Sequence, residues 1–273
     1  MDIVERAKRA VWQQFVSQSE FKIDDKGYVA EPWMNLLPGI TMDSFESELD
    51  DGSGSELEGK FLAVHSSSAL AVNAFAIWKK DFSNLSLCGK TEFTELEFEK
   101  KCSTGLGGTP PHLDVFLENR STVVGIESKF LETLKPKKPH FASSYNRDNL
   151  PQIENEWWEL LLEVSEGEPQ YLDVAQLIKH YLGLRNGWRG EKEIILLYLF
   201  WEPENAAHFV EFRRHREELA YFESRVRDSS VAFVGKSYPE LWREWKAIQG
   251  TKDHVRNLRR RYSLKILPKK EEA

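Results

Sequence analysis

Apolar and polar positions follow a period of two in some stretches and a helical period in others, and their order along the chain predicts the architecture. Thr91 to Lys101 alternates, with Thr94, Leu96 and Phe98 on one side and Glu95, Glu97 and Glu99 on the other. Pro111–Leu117 and Thr122–Phe130 are β-branched and apolar runs separated by the turn Glu118–Ser121, which predicts a hairpin. Ile194–Trp201 is a continuous apolar run closed by Glu202-Pro203, as a strand buried on both faces after a crossover helix should be. It is too short for a membrane span of about 20 residues.

Helical periods fill the intervals. Ser66-Ser67-Ser68 offers hydroxyl caps to a helix over Ala69–Trp78 that ends in Lys79-Lys80, the sign its dipole prefers. A second helix is expected over Leu172–Leu184, with Val174, Leu177, Ile178, Tyr181 and Leu182 as its apolar side. Further helices are predicted over Ile3–Val16, Ile153–Val164, Asn205–Val226 and Tyr238–Ile248, and a short strand over Ser230–Gly235. Asp43–Gly59 reads as irregular and acidic, and Gly105–Pro111 as a connector without the Gly-Lys-Ser/Thr ending of a phosphate loop. After Phe130 a long excursion carries Lys135, Lys137 and Lys138, and connections of that length are usually functional.

The hairpin carries the candidate chemistry. Side chains alternate across a strand, so Glu127 and Lys129 share a face with Val123 and Gly125 and are expected to leave the core together. Asp114 then falls near Glu127 on the neighbouring strand, and Gly125 leaves room for a ligand or another backbone. Two carboxylates about 4 Å apart repel by about 4 kcal/mol at an effective dielectric near 20, so such a pair calls for a cation. The acid-x-Lys spacing alone says little, because it recurs at Glu20/Lys22, Asp24/Lys26, Glu58/Lys60, Glu99/Lys101 and Glu244/Lys246. Only Glu127/Lys129 ends an apolar strand that follows another strand bearing an aspartate.

Asp114 followed by Glu127-Ser128-Lys129, and then by a helix with Gln176, resembles the PD-(D/E)XK nuclease superfamily. The proline that names the motif is not adjacent to Asp114; Pro110 and Pro111 lie slightly earlier. The resemblance implies an α/β, restriction-endonuclease-like core of helix, three strands, helix and strand around a mixed central sheet. That core would run from about 60 to 202 within a single elaborated domain, 1–273. A helical extension, 1–40, would precede it, and a helical and strand extension, 205–273, would follow.

The resemblance also implies that Asp114 and Glu127 ligate magnesium or manganese with the Ser128 carbonyl. Lys129 would assist the nucleophile, and Gln176 would support from its helix. The family's Gln-x-x-x-Tyr pattern is imperfect here, since His180 stands four after Gln176 and Tyr181 one later. Tyr181 is therefore read as core, and Lys179 and His180 as surface by default. Glu56, Glu58, Glu97 and Glu99 are left open as sources of a third carboxylate. Trp157-Trp158 offers stacking surface, but at least one of the two is expected in the core.

Composition is ordinary for a soluble protein, and 273 residues suffice for a substantial core. The two cysteines, Cys88 and Cys102, lack metal-site spacing and read as buried thiols; with no signal peptide or membrane segment, a cytoplasmic setting is expected. A net charge of −7 argues against a surface that grips nucleic acid everywhere, whereas the basic tail Lys252–Lys270, with Arg256, Arg259, Arg260, Arg261 and Lys265, is read equally as lying along a phosphate backbone or as an exposed terminal helix that balances the acidic remainder. The expected activity is phosphodiester hydrolysis on nucleic acid, DNA ahead of RNA. The alternatives are a silent nuclease-fold protein that binds nucleic acid or a protein partner, and a hydrolase of phosphorylated small molecules. A homodimer is left open.

Overall fold

The Asp114 and Glu127 strands sit inside a five-stranded sheet of order β1-β2-β3-β4-β5. These are β1 (Glu95–Lys101), β2 (His112–Glu118), β3 (Thr122–Lys129), β4 (Glu193–Phe200) and β5 (Val231–Ser237). The computed structural model describes residues 1–53 and 56–267. β1, β2 and β3 run antiparallel, while β3, β4 and β5 are mutually parallel. The sheet is therefore mixed, and its helix, three strands, helix, strand order is the expected one.

Helices cover both faces. On one side lie α4 (Asn155–Ser165) and α5 (Val174–Trp188), packed on Phe116, Val123, Leu196 and Tyr198. On the other lie α1 (Ile3–Val16), α3 (Ser67–Phe75), α7 (Tyr238–Lys246) and α8 (Lys252–Tyr262), packed on Val115, Val124, Ile126 and Leu197. The remaining long helix, α6 (Val210–Arg225), contributes Phe212 to the second cluster and Phe222 to the first. Local chemistry sets several ends: Asp2, Ser66 and Asp173 cap their helices, and Ser237 with Glu240 forms a reciprocal capping box.

Several expectations change. Within the stretch read as irregular, Glu46–Ser53 forms helix α2, whose Glu48 accepts from the Phe98 amide at 2.8 Å and so ties it to β1. The remaining N-terminal extension has only a short 3-10 turn, Pro32–Asn35, beyond α1. Cys88 is half-buried, whereas Cys102 is buried. Arg261 in the basic tail is 6 % exposed and donates to Asn35 and to the Val64 carbonyl, so it holds the fold together and cannot face a phosphate. Lys270 lies outside the described residues.

The expectation that Glu127 and Lys129 leave the core together also fails. Both faces of β3 are covered, and Glu127 is 3 % exposed beneath α5. Gly125 is not beside an open pocket either. A methyl group there would come within 2.8 Å of Leu184 and 2.9 Å of Leu113, so the missing side chain admits those two leucines.

Candidate active site

The end of the β1–β2 ribbon is where the regular sheet gives way. Phe98 pairs with Val115 and Lys100 with Leu113, which sets Glu99 opposite Asp114. Glu99 has φ +53°, a left-handed backbone that costs a non-glycine residue about 1 to 3 kcal/mol. The inside-outside alternation changes phase there. Lys100 joins Glu97 at 2.6 Å and lies over the Phe116 ring at 5.0 Å, on the face that strict alternation would deny it. Leu113 likewise shares the α5-side cluster with Phe116.

Asp114 sits at this twist, and its side chain replaces a missing piece of the ladder. Main-chain pairing of β2 with β3 stops at Val115 and Ile126. Just beyond, the Ser128 N–H donates to Asp114 Oδ2 at 2.6 Å. The Ser128 hydroxyl is pinned from the opposite face by the Tyr238 hydroxyl at 2.6 Å. Asp114 thus bridges the gap between the parting strands, with its carboxyl group at the end of Glu127-Ser128-Lys129.

Glu127 is gripped on both oxygens. One accepts from the Lys129 ammonium, and the other lies 2.6 Å from His180 Nε2. The ionised carboxylate only accepts, so the Nε2 hydrogen of His180 points at it. The Gln176 amide lies 3.0 Å from the same Nε2, and Nδ1 of the ring has no partner among the described residues. Gln176 and His180 are one turn apart on α5 and present one face. α5 comes close enough because Gly183 has no side chain: a methyl group there would lie 2.6 Å from the Cys102 carbonyl oxygen. His180 is fully buried.

His180 is the site residue that the sequence reading placed at the surface by default. The available signal was its spacing from Gln176 together with the glycine one turn later. Tyr181 is core as expected, stacked on buried Trp157 at 4.0 Å. Trp158 is half-buried, with Arg147 over its ring at 5.6 Å. Exposed Lys137 pairs with Asp173 at 3.4 Å, which pins that part of the lysine-bearing loop to the start of α5. Among the acidic candidates, Glu58 is exposed and Glu97 is occupied by Lys100. Glu99 faces the site with His112 Nδ1 3.3 Å away, and Glu56 accepts from the Ser68 hydroxyl at 2.7 Å.

The electrostatics follow from crowding acids in a poorly hydrated place. Burial raises the Asp114 carboxyl well above the usual range, and the negative charges of Glu127 and Glu99 push it the same way. Glu99 is raised to about 7 by burial, with Glu56 and Glu127 adding repulsion. Burial opposes ionisation of Glu127 too, but Lys129 and His180 outweigh it and hold the carboxyl down to about 2. Burial would neutralise Lys129, yet Glu127, Asp114 and Glu132 together raise its pKa, so the ammonium keeps its proton.

A family model described as REase-ARP, Restriction Endonuclease associating with ARP, matches residues 13–263. This chain belongs to the REase-ARP family. That membership and the five-stranded mixed sheet flanked by helices agree on a restriction-endonuclease-like fold for this REase-ARP protein. Neither a curated protein nor a solved structure matches the chain. No described helix is long and apolar enough to cross a membrane.

A divalent cation suits the donor chemistry at this site. Asp114 and Glu127 supply hard oxygens, and the Asp114 and Glu99 carboxyls are raised by burial first and by their acidic neighbours second. Among the described residues no three His, Cys, Asp or Glu side chains form a ligating group. Magnesium is usually held by one or two carboxylates with water and substrate oxygens, so Asp114 and Glu127 are the residues that could hold such an ion.

Proposed function

We propose that this protein is a metal-dependent nuclease of the PD-(D/E)XK type that hydrolyses phosphodiester bonds, with DNA as its substrate. The observation that carries the reading is the convergence of Asp114, Glu127 and Lys129 where β2 parts from β3, supported by a match to a restriction-endonuclease family over residues 13–263. Asp114, Glu127 and the Ser128 carbonyl would hold magnesium or manganese. When bound, that ion supplies Lewis acidity toward water and toward the phosphate oxygens.

The chain's own residues do the rest. Lys129 keeps its proton, so it neutralises charge that builds on phosphorus and orients the attacking water rather than removing its proton. The Nε2 hydrogen of His180 fixes the rotamer of Glu127, and the Gln176 side chain packs beside that same ring nitrogen. Asp114 keeps Oδ1 available while Oδ2 holds the Ser128 amide. The family description names an association with ARP, and we extend that association to this chain.

A second reading draws on one specific observation. Both Glu127 oxygens are already engaged by Lys129 and His180, which suits a nuclease fold that binds nucleic acid without cutting it. The deciding experiment offers supercoiled plasmid, linear duplex, single-stranded DNA and RNA with magnesium or manganese, against chelator. Cleavage that needs the cation and falls by at least about a thousandfold in Asp114→Asn and Lys129→Met supports the nuclease. Cleavage unchanged in both variants removes this site from the mechanism, and binding without any turnover favours the silent protein.

A further inference from the structure

A second polar region lies away from the acids. Along α8, Lys252, Arg256, Arg259 and Arg260 fall at i, i+4, i+7 and i+8, one stripe of the helix. With Lys246 at the end of α7, they line a groove of about 550 Å³ whose one acidic lining side chain is Glu204. All five cations are exposed. Arg256 pairs with Asp253 at 2.8 Å, and the other four have no ion-pair partner among the described residues. In a chain of net charge −7, this concentration of positive charge is local.

The helix that presents the stripe is firmly held. Val255, Leu258 and Tyr262 enter the core, and buried Arg261 reaches Asn35 and Val64 from the inner side. Like charges one turn apart repel, so a fixed row of them is completed by an anion. At 1.5 Å per residue the row from Lys252 to Arg260 spans about 12 Å, the rise of three to four nucleotides of one DNA strand.

The helix that carries the groove is tied to the strand ends near the proposed site. The Trp201 N–H donates to the Lys129 carbonyl at 2.9 Å, and the chain then runs through Glu202 and Pro203 to Glu204. The Glu204 N–H in turn donates to the Leu264 carbonyl just past α8 at 2.8 Å, and Phe130 meets the Tyr262 ring at 5.7 Å. The carboxyl-terminal end of α8 therefore lies beside the carboxyl ends of β3 and β4.

We propose that this groove holds the phosphate backbone of duplex DNA outside the scissile position. The proposal rests on the nuclease reading for the identity of the polyanion. It is tested with the full chain in chelator, by fluorescence anisotropy with a short labelled duplex over a range of potassium chloride. The wild type is compared with Asp114→Asn and with the triple variant Lys252→Gln, Arg256→Gln, Arg259→Gln.

Loss of three phosphate contacts should flatten the plot of log affinity against log salt by about 2.7, while Asp114→Asn leaves its slope unchanged. A wild-type slope in the triple variant, with a native circular dichroism spectrum, overturns the proposal. So does polyglutamate binding at least as tightly as the duplex, which points to an acidic protein partner. Steep salt-linked binding without cleavage in metal overturns only the nuclease reading, and metal-dependent cleavage with no change of slope overturns only the groove.

Discussion

The acids of the site and the bases of α8 are held in opposite ways. Asp114, Glu127 and Lys129 are fixed by the backbone twist at Glu99, by Ser128 and by His180, with Glu127 buried. The bases extend into solvent from a helix anchored through other residues. The difference teaches what each region is suited for. Buried groups held on several sides define a position in space, as chemistry at one bond needs. Exposed cations supply attraction with little geometry, as a uniform phosphate backbone needs.

Removing a held charge should therefore cost far more than removing a solvated one. Glu127→Ala leaves the Lys129 ammonium without its closest anion in a poorly hydrated place, and we expect a loss of about 3 to 5 kcal/mol in urea unfolding. Glu127→Gln, which keeps the hydrogen-bonding shape, should lose less. An unfolding midpoint unchanged in Glu127→Ala would mean that the ion pair is solvated after all.

Glu99 sharpens the same contrast through pH. Its folded pKa of about 7 exceeds the ordinary 4.5, so the fold prefers it protonated. That stability is fully present below about pH 4.5 and is lost as the pH climbs through 7. With the side chain 18 % exposed, Glu99→Gln should gain about 2 to 3 kcal/mol over the wild type at pH 8 and almost nothing at pH 4. Equal gains at both values would show that strain, and not charge, sets the cost. At the other extreme, the triple glutamine variant of α8 should unfold within about 0.5 kcal/mol for each exposed substitution, because its side chains touch little.

Hydrophobic periodicity made the sheet order and most of the helices legible, because β3 and β4 are apolar on both faces and the helices show amphipathic stripes. The α2 helix was hidden by an acidic, weakly apolar stretch whose order comes from Glu48 reaching β1 and Lys79. Asp114, Glu127 and Lys129 were found by assuming unbroken alternation, yet they meet through a break in phase at Glu99 and Asp114. A left-handed glutamate leaves no mark in a hydrophobic pattern. His180 escaped because burial of a polar side chain depends on what packs over it, here an approach permitted by Gly183.

The central claim is that Asp114 and Glu127 form a cation site, and calorimetric titration of manganese into the full chain near pH 8 tests it most directly. We predict saturable binding in the wild type, weakened at least about tenfold in Asp114→Asn while the unfolding midpoint stays above the titration temperature. Manganese heats indistinguishable between wild type and Asp114→Asn, or no binding in either, would contradict it.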